Sequence, residues 1–84
     1  MSRLERKVAL VSGSARGTGA ALVRAMAAEG AKVVVADVAD DEGRELADEI
    51  GPTATYVHLD VTKPADWSNA VDAAISAAIT GGFE

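Results

Sequence analysis

The feature that most constrains this chain is its strict alternation of two kinds of segment. Lys7 to Val11, Lys32 to Asp37 and Thr55 to Leu59 are short and rich in β-branched residues, so they read as strands. Between and after them, Gly17 to Glu29, Asp40 to Ile50 and Pro64 to Ile79 carry apolar residues at helical spacing. Strands separated by helices cannot form hairpins, so they pair in parallel through right-handed crossovers. The expected fold class is α/β: β-α-β-α-β-α, the N-terminal half of a doubly wound parallel sheet of the Rossmann type, whose strand order by analogy with the complete fold is 3-2-1. Val33-Val34-Val35-Ala36 is a continuous apolar run, which suits a strand buried on both faces.

The periodicity also assigns inner faces. Leu22, Val23 and Met26 fall on one stripe of the first helix, and Gly43, Leu46, Ala47 and Ile50 on one of the second. Trp67, Val71, Ile75 and Ile79 repeat every four residues and are expected to be the inner face of the third. Pro64 belongs in that helix's first turn, with Thr62 or Lys63 as its cap. Gly30, Gly51-Pro52 and Gly81-Gly82 are expected stops.

Between the first strand and the first helix lies Val11-Ser12-Gly13-Ser14-Ala15-Arg16-Gly17-Thr18-Gly19. Glycines there let a ligand approach the main chain, and free N–H groups at the helix start favour an anion. A pyrophosphate is the natural guest. The phosphate-loop pattern of nucleotide triphosphatases is absent, since no lysine occurs between Lys7 and Lys32. The common Gly-x-Gly-x-x-Gly fingerprint also fails, because Leu22 holds its last position. What remains is Gly-x-x-x-Gly-x-Gly at Gly13, Gly17 and Gly19.

Asp37 ends the second strand at the offset expected of an acid that accepts both hydroxyls of an adenosine ribose. The same carboxylate repels a 2′-phosphate: like charges ~4 Å apart cost about 4 kcal/mol at an effective dielectric of 20. Arg16 pulls the other way, since it could pair with that phosphate. A loop arginine is more easily solvated than a strand-end carboxylate, which favours NAD over NADP. After the third strand, Leu59-Asp60-Val61-Thr62 falls at the same edge of the sheet. There Asp60 could accept from an adenine amino group and Val61 could pack on the ring.

Together these features resemble the short-chain dehydrogenase/reductase family, over Lys7 to about Ile79. The likeness is to the classical NAD-preferring type, with similarity to bacterial hydroxysteroid dehydrogenases. Ser12 to Gly19 is similar to that family's TGxxxGxG loop. The resemblance implies that Gly13, Arg16, Gly17, Thr18 and Gly19 line the pyrophosphate, that Asp37 holds the adenine ribose, and that Asp60 and Val61 flank the adenine. It implies an oxidoreductase that moves hydride between NAD and an alcohol or carbonyl substrate, often as a homo-oligomer. Two loop positions depart from the pattern: Ser12 replaces the usual Thr, and Thr18 stands where an aliphatic residue is usual. The family's NNAG strand end, catalytic Ser and YxxxK pair do not occur in these 84 residues. Tyr56 is followed four positions later by Asp60. No catalytic residue is assigned, and residues 1–84 are expected to be part of a larger dinucleotide-binding domain, cut before its fourth strand. The first strand would then be an exposed edge that invites pairing with another chain. From the residues alone, a non-catalytic adenosine-binding module and an inactive truncated product are the alternatives.

Charge and composition narrow the partners. Eight basic against thirteen acidic residues give a net charge of −5, with only Arg3, Arg6 and Lys7 clustered, so no nucleic acid partner is expected. No apolar run approaches ~18 residues, so no membrane span is expected. Cysteine is absent, which fits a cytoplasmic protein. His58 has no neighbouring ligand set for a metal. Trp67 reads as a packing anchor, and Ser68 and Ser76 lack an activating base.

Overall fold

A computed structural model describes residues 7–80. The elements are β1 (Val8–Ser12), α1 (Gly17–Ala28), β2 (Lys32–Asp37), α2 (Asp40–Ile50), β3 (Ala54–His58) and α3 (Pro64–Thr80). The three strands form one parallel sheet with β2 in the middle, the expected order. The first and third strands are displaced by one residue from the spans the sequence suggests, and α1 ends at Ala28 rather than Glu29. The expected stops at Gly81 and Gly82 lie outside the described residues.

Burial follows from the position of β2. Val33, Val34, Val35 and Ala36 have no exposed surface. Side chains alternate across a strand, so Val33 and Val35 face one side and Val34 and Ala36 the other. The first side packs under α1 and α2, where Ala20, Val23, Ala31, Leu46 and Ala47 complete the cluster with Val33 and Val35. The second is covered by α3, which contacts all three strands. Gly43, Leu46 and Ala47 are buried as their spacing suggests, with Ile50 half-buried.

The outer helices depart from their apolar periodicity. In α1, Val23 is buried and Met26 half-buried, but Leu22 is 43% exposed and Ala20 takes the inner position. In α3 the expected inner stripe lies to one side of the face that meets the sheet and grows more exposed along the helix: Trp67 is 38% exposed, Val71 40%, Ile75 51% and Ile79 79%. Ala70 and Ala77 are buried instead, with Ala73 and Ala74 half-buried. Periodicity says which residues share a face; it does not say which of two apolar faces meets the sheet. Here the sheet surface carries Val34 with Leu10 and Thr55 in register, and Ala36 with Val57. Alanines let the helix backbone come close to that surface, where larger side chains would hold it off.

Two truncations test this packing. In the 84-residue chain, Leu46→Ala is expected to cost about 2–5 kcal/mol, the range for a buried leucine. Ile75→Ala is expected to stay within about 0.5 kcal/mol, as an exposed position does. Urea unfolding of the two variants gives the comparison. A larger loss at Ile75 would contradict the orientation of α3.

Candidate functional site

Because the strands are parallel and in register, their C-terminal ends lie level. Ser12 pairs with Ala36 and Asp37 with His58, so the glycine loop, Asp37 and the Asp60 turn share one edge. This is the edge at which open α/β sheets bind ligands.

The glycine loop is built by backbone geometry. Gly13 and Gly17 have φ of 65° and 64°, in the left-handed region. At Gly19 the constraint is close approach: a Cβ there would overlap the Gly13 carbonyl oxygen and sit 2.8 Å from Ser14 Cα. The helix therefore enters directly behind the loop. Arg16 is the N-cap of α1 and makes no side-chain capping bond, and no acid lies in the first turn. The first helical bond runs from the Ala20 amide to the Arg16 carbonyl at 3.3 Å. The amides of Gly17, Thr18 and Gly19, the first three of α1, therefore have no acceptor within the helix; Gly17 and Thr18 are exposed and Gly19 half-buried.

Ser14, which sequence reasoning missed, fastens this loop to the sheet. It is completely buried. Its hydroxyl donates to the Val11 carbonyl at 2.6 Å and accepts from the Ala36 amide at 3.0 Å. Its own amide donates to the Ala36 carbonyl at 3.1 Å. The signal for this role is weak in sequence, because serine is common in turns for other reasons.

Asp37 is more committed than its expected role alone requires. Oδ2 accepts from the Ala15 amide at 3.1 Å, across from β1. Oδ1 accepts from the Val38 and Ala39 amides at 2.7 and 3.1 Å. Partial burial pushes its carboxyl up, but those three amides, with Arg16 nearby, outweigh this and hold it below the usual carboxylate range. The result is an ionised acceptor fixed in direction, with acceptor capacity left over. Arg16 itself turns to α2, its guanidinium 3.2 Å from Glu42 Oε2, with both side chains largely exposed.

The third corner is the turn after β3. Asp60 Oδ1 accepts from the Thr62 amide and hydroxyl at 2.9 and 2.6 Å. These bonds lower its carboxyl below the usual range. The Asp60 amide donates to Asp66 Oδ2 at 2.9 Å. Val61 is 59% exposed beside it. Trp67 is not the core anchor its spacing suggests: its indole N–H donates to the Val61 carbonyl at 3.2 Å, so it steadies the turn. A shallow concavity between α1 and α2, lined by Arg24, Ala27, Glu49 and Ile50, includes the Arg24–Glu49 ion pair at 2.7 Å and none of these residues.

All eight residues singled out in the sequence thus gather along one edge. The arrangement offers backbone donors to an anion at the loop, a directed carboxylate to hydroxyls one strand away, and an apolar side chain with an acid beyond. Ser14→Ala is expected to destabilise the chain by about 1–3 kcal/mol, the cost of a buried amide left without an acceptor. Thermal or urea unfolding monitored by circular dichroism checks it, and an unchanged midpoint would contradict the Ser14–Ala36 linkage.

The sequence model of the short chain dehydrogenase family matches residues 7–81. The chain is 63% identical over 75 residues to 3-alpha-(or 20-beta)-hydroxysteroid dehydrogenase of Mycobacterium tuberculosis, covering 89% of this chain and 29% of that protein. It is 48% identical over 82 residues to trans-4-hydroxycyclohexanecarboxylate dehydrogenase of Sinomonas cyclohexanicum, covering 87% of this chain and 32% of that one. Among solved structures, 3-ketoacyl-(acyl-carrier-protein) reductase from Brucella melitensis, complexed with NADH, superposes with a TM-score of 0.85. The identity there is 41%, over 89% of this chain and 31% of that one. The chain therefore spans about a third or less of the length of these relatives. With a family match over nearly all its length and the same fold at 41% identity, the chain belongs to the short chain dehydrogenase family.

Proposed function

We propose that this chain is the NAD-binding segment of an oxidoreductase that moves hydride between a nicotinamide cofactor and an alcohol or carbonyl substrate. Its three strands would be the N-terminal part of a larger dinucleotide-binding domain. The observation that carries the reading is the union, on one sheet edge, of unpaired amides at the glycine loop and a pre-directed Asp37 carboxylate. A Cβ at Gly19 would fill the space the loop backbone itself occupies, so the cradle depends on that glycine.

In this reading the amides of Gly17, Thr18 and Gly19 hold the pyrophosphate, with Gly13 shaping the turn. Asp37 accepts from the ribose hydroxyls, while Asp60 and Val61 flank the adenine. When bound, the cofactor supplies or takes the hydride at its nicotinamide ring. No proton-transfer role is proposed for Tyr56. Burial, then the bond to Asp40, raises its phenol above the ordinary value, and its proton is already held between two acceptors.

NAD is favoured over NADP on two grounds. The ionised Asp37 would face a 2′-phosphate, and Arg16, the cation that could offset it, is paired with Glu42. The mycobacterial relative's name makes a hydroxylated or carbonyl-bearing ring compound the first substrate class to try. A cytoplasmic location and homo-oligomeric assembly of the natural protein belong to the same proposal. No helix among the described residues is long and apolar enough to cross a membrane.

Asp37→Ala in the natural protein is expected to weaken NAD binding about tenfold to a hundredfold, the value of one charge-assisted hydrogen bond. It should also narrow the NAD/NADP difference. Calorimetric titration with each cofactor reads both effects, and an unchanged preference would overturn the role of Asp37. Hydride transfer is checked by nicotinamide absorbance with secondary alcohols. Binding without any transfer would favour a non-catalytic module.

A further inference from the structure

His58 has no part in the function proposed above, yet it sits between the two residues assigned to the adenosine end. A continuous set of contacts joins them. The Tyr56 hydroxyl lies 2.5 Å from both the Asp37 backbone carbonyl and Asp40 Oδ1. His58 Nδ1 lies 2.7 Å from the same Asp40 oxygen, and its Nε2 lies 3.8 Å from Asp66 Oδ2. Asp66 Oδ2 in turn accepts from the Asp60 amide. Asp40 opens α2 and Asp66 lies in the first turn of α3, so His58 spans the entrances of helices on opposite faces of the sheet.

We propose that protonated His58 is a positioning residue for the adenosine end of the site. As an imidazolium it ties Asp40 to Asp66 and so fixes the spacing between Asp37 and Asp60, which makes cofactor affinity fall as pH rises through its titration. The inference rests on the NAD-binding reading. The Nδ1 contact is within hydrogen-bond distance, whereas the Nε2 contact at 3.8 Å is an ion pair that exists only while the ring carries its charge. Loss of the proton therefore removes the attraction to Asp66 at the entrance of α3, while the neutral ring can still donate from Nδ1 to Asp40.

The charged surroundings set the direction. From α2 come Asp40 and Arg44, the latter 5.7 Å from the centre of the Tyr56 ring. From β3 comes Tyr56, from β2 Asp37, from α3 Asp66, and from the turn between β3 and α3 Asp60 and Lys63. The bond to Asp40 raises the His58 imidazole above 6.5, desolvation opposes this, and the charges of Asp40, Asp66 and Asp60 add to the rise. The imidazolium contact is thus fully present below about pH 6 and is lost as pH rises through the raised value.

The test is calorimetric titration of the natural protein with NAD from pH 6 to 9 at physiological ionic strength, where charges beyond about 8 Å are screened. Affinity is expected to fall about twofold to fivefold across that range, the scale of a half-exposed ion pair. His58→Gln, which keeps a donor but no charge, is expected to bind NAD at pH 6 with the wild-type protein's high-pH affinity and to show a flat profile. By reciprocity, NAD is expected to raise the titration midpoint of His58, read from its imidazole resonances by NMR in the wild-type protein. A flat wild-type profile, an unshifted midpoint or an equal slope in His58→Gln overturns the proposal while leaving NAD binding intact. Absence of NAD binding at pH 6 would overturn the NAD-binding reading itself.

Discussion

Burial of β2 on both faces is the constraint on which the rest depends. Four consecutive residues, Val33 to Ala36, have no exposed surface, so helices must cover both sides of the sheet. Each fully buried valine contributes about 1.5–3 kcal/mol relative to exposure. The backbone of a strand so enclosed must also be satisfied by its neighbours, since no water reaches it. That requirement makes β1 and β3 pair with β2 in one register, and the register brings three strand ends to a common edge. The geometry of the candidate site is thus a consequence of core formation.

Ser14 shows how closely the site and the scaffold are joined. The β1–β2 ladder does not stop where β1 ends. Through the Ser14 amide and hydroxyl it continues into the glycine loop, both bonding to Ala36. Asp37 then ties the next residue, Ala15, to the end of β2. The loop whose amides are proposed to meet an anion is thereby held by Ser14 and Asp37. Such a loop loses little conformational freedom on binding, which is the physical content of preorganisation. Asp37 has the same double character. The bonds that lower its acidity also aim it, so a structural role for this acid and a ligand-binding one are not alternatives.

Much of this was legible from the residues. The alternation of Val-rich runs with periodic segments yields the element order. The Gly13, Gly17 and Gly19 spacing with Asp37 marks the edge, and the family resemblance agrees with the comparisons. Three things were not legible. The inner face of α3 went to Ala70 and Ala77 rather than to Trp67, Val71, Ile75 and Ile79, because hydrophobicity ranks residues while close packing rewards shape. The pairing of Arg16 with Glu42 joins the ends of two elements distant in sequence. The Tyr56–Asp40–His58–Asp66 contacts join three elements, and no spacing rule links them.

The sequence by itself therefore determined the fold class, the element order and, with the family resemblance, the residues that meet at the site edge. Local propensity and the handedness of parallel crossovers leave few other arrangements for this pattern. Only the tertiary structure decided which polar groups touch there. It assigned the inward serine of the loop, the three amides on Asp37, the partner of Arg16 and the place of His58 between Asp40 and Asp66. These depend on how elements are placed relative to one another to within about an ångström, because hydrogen bonding is steep in distance and angle. A one-dimensional pattern carries the period of each element but not the separation between elements.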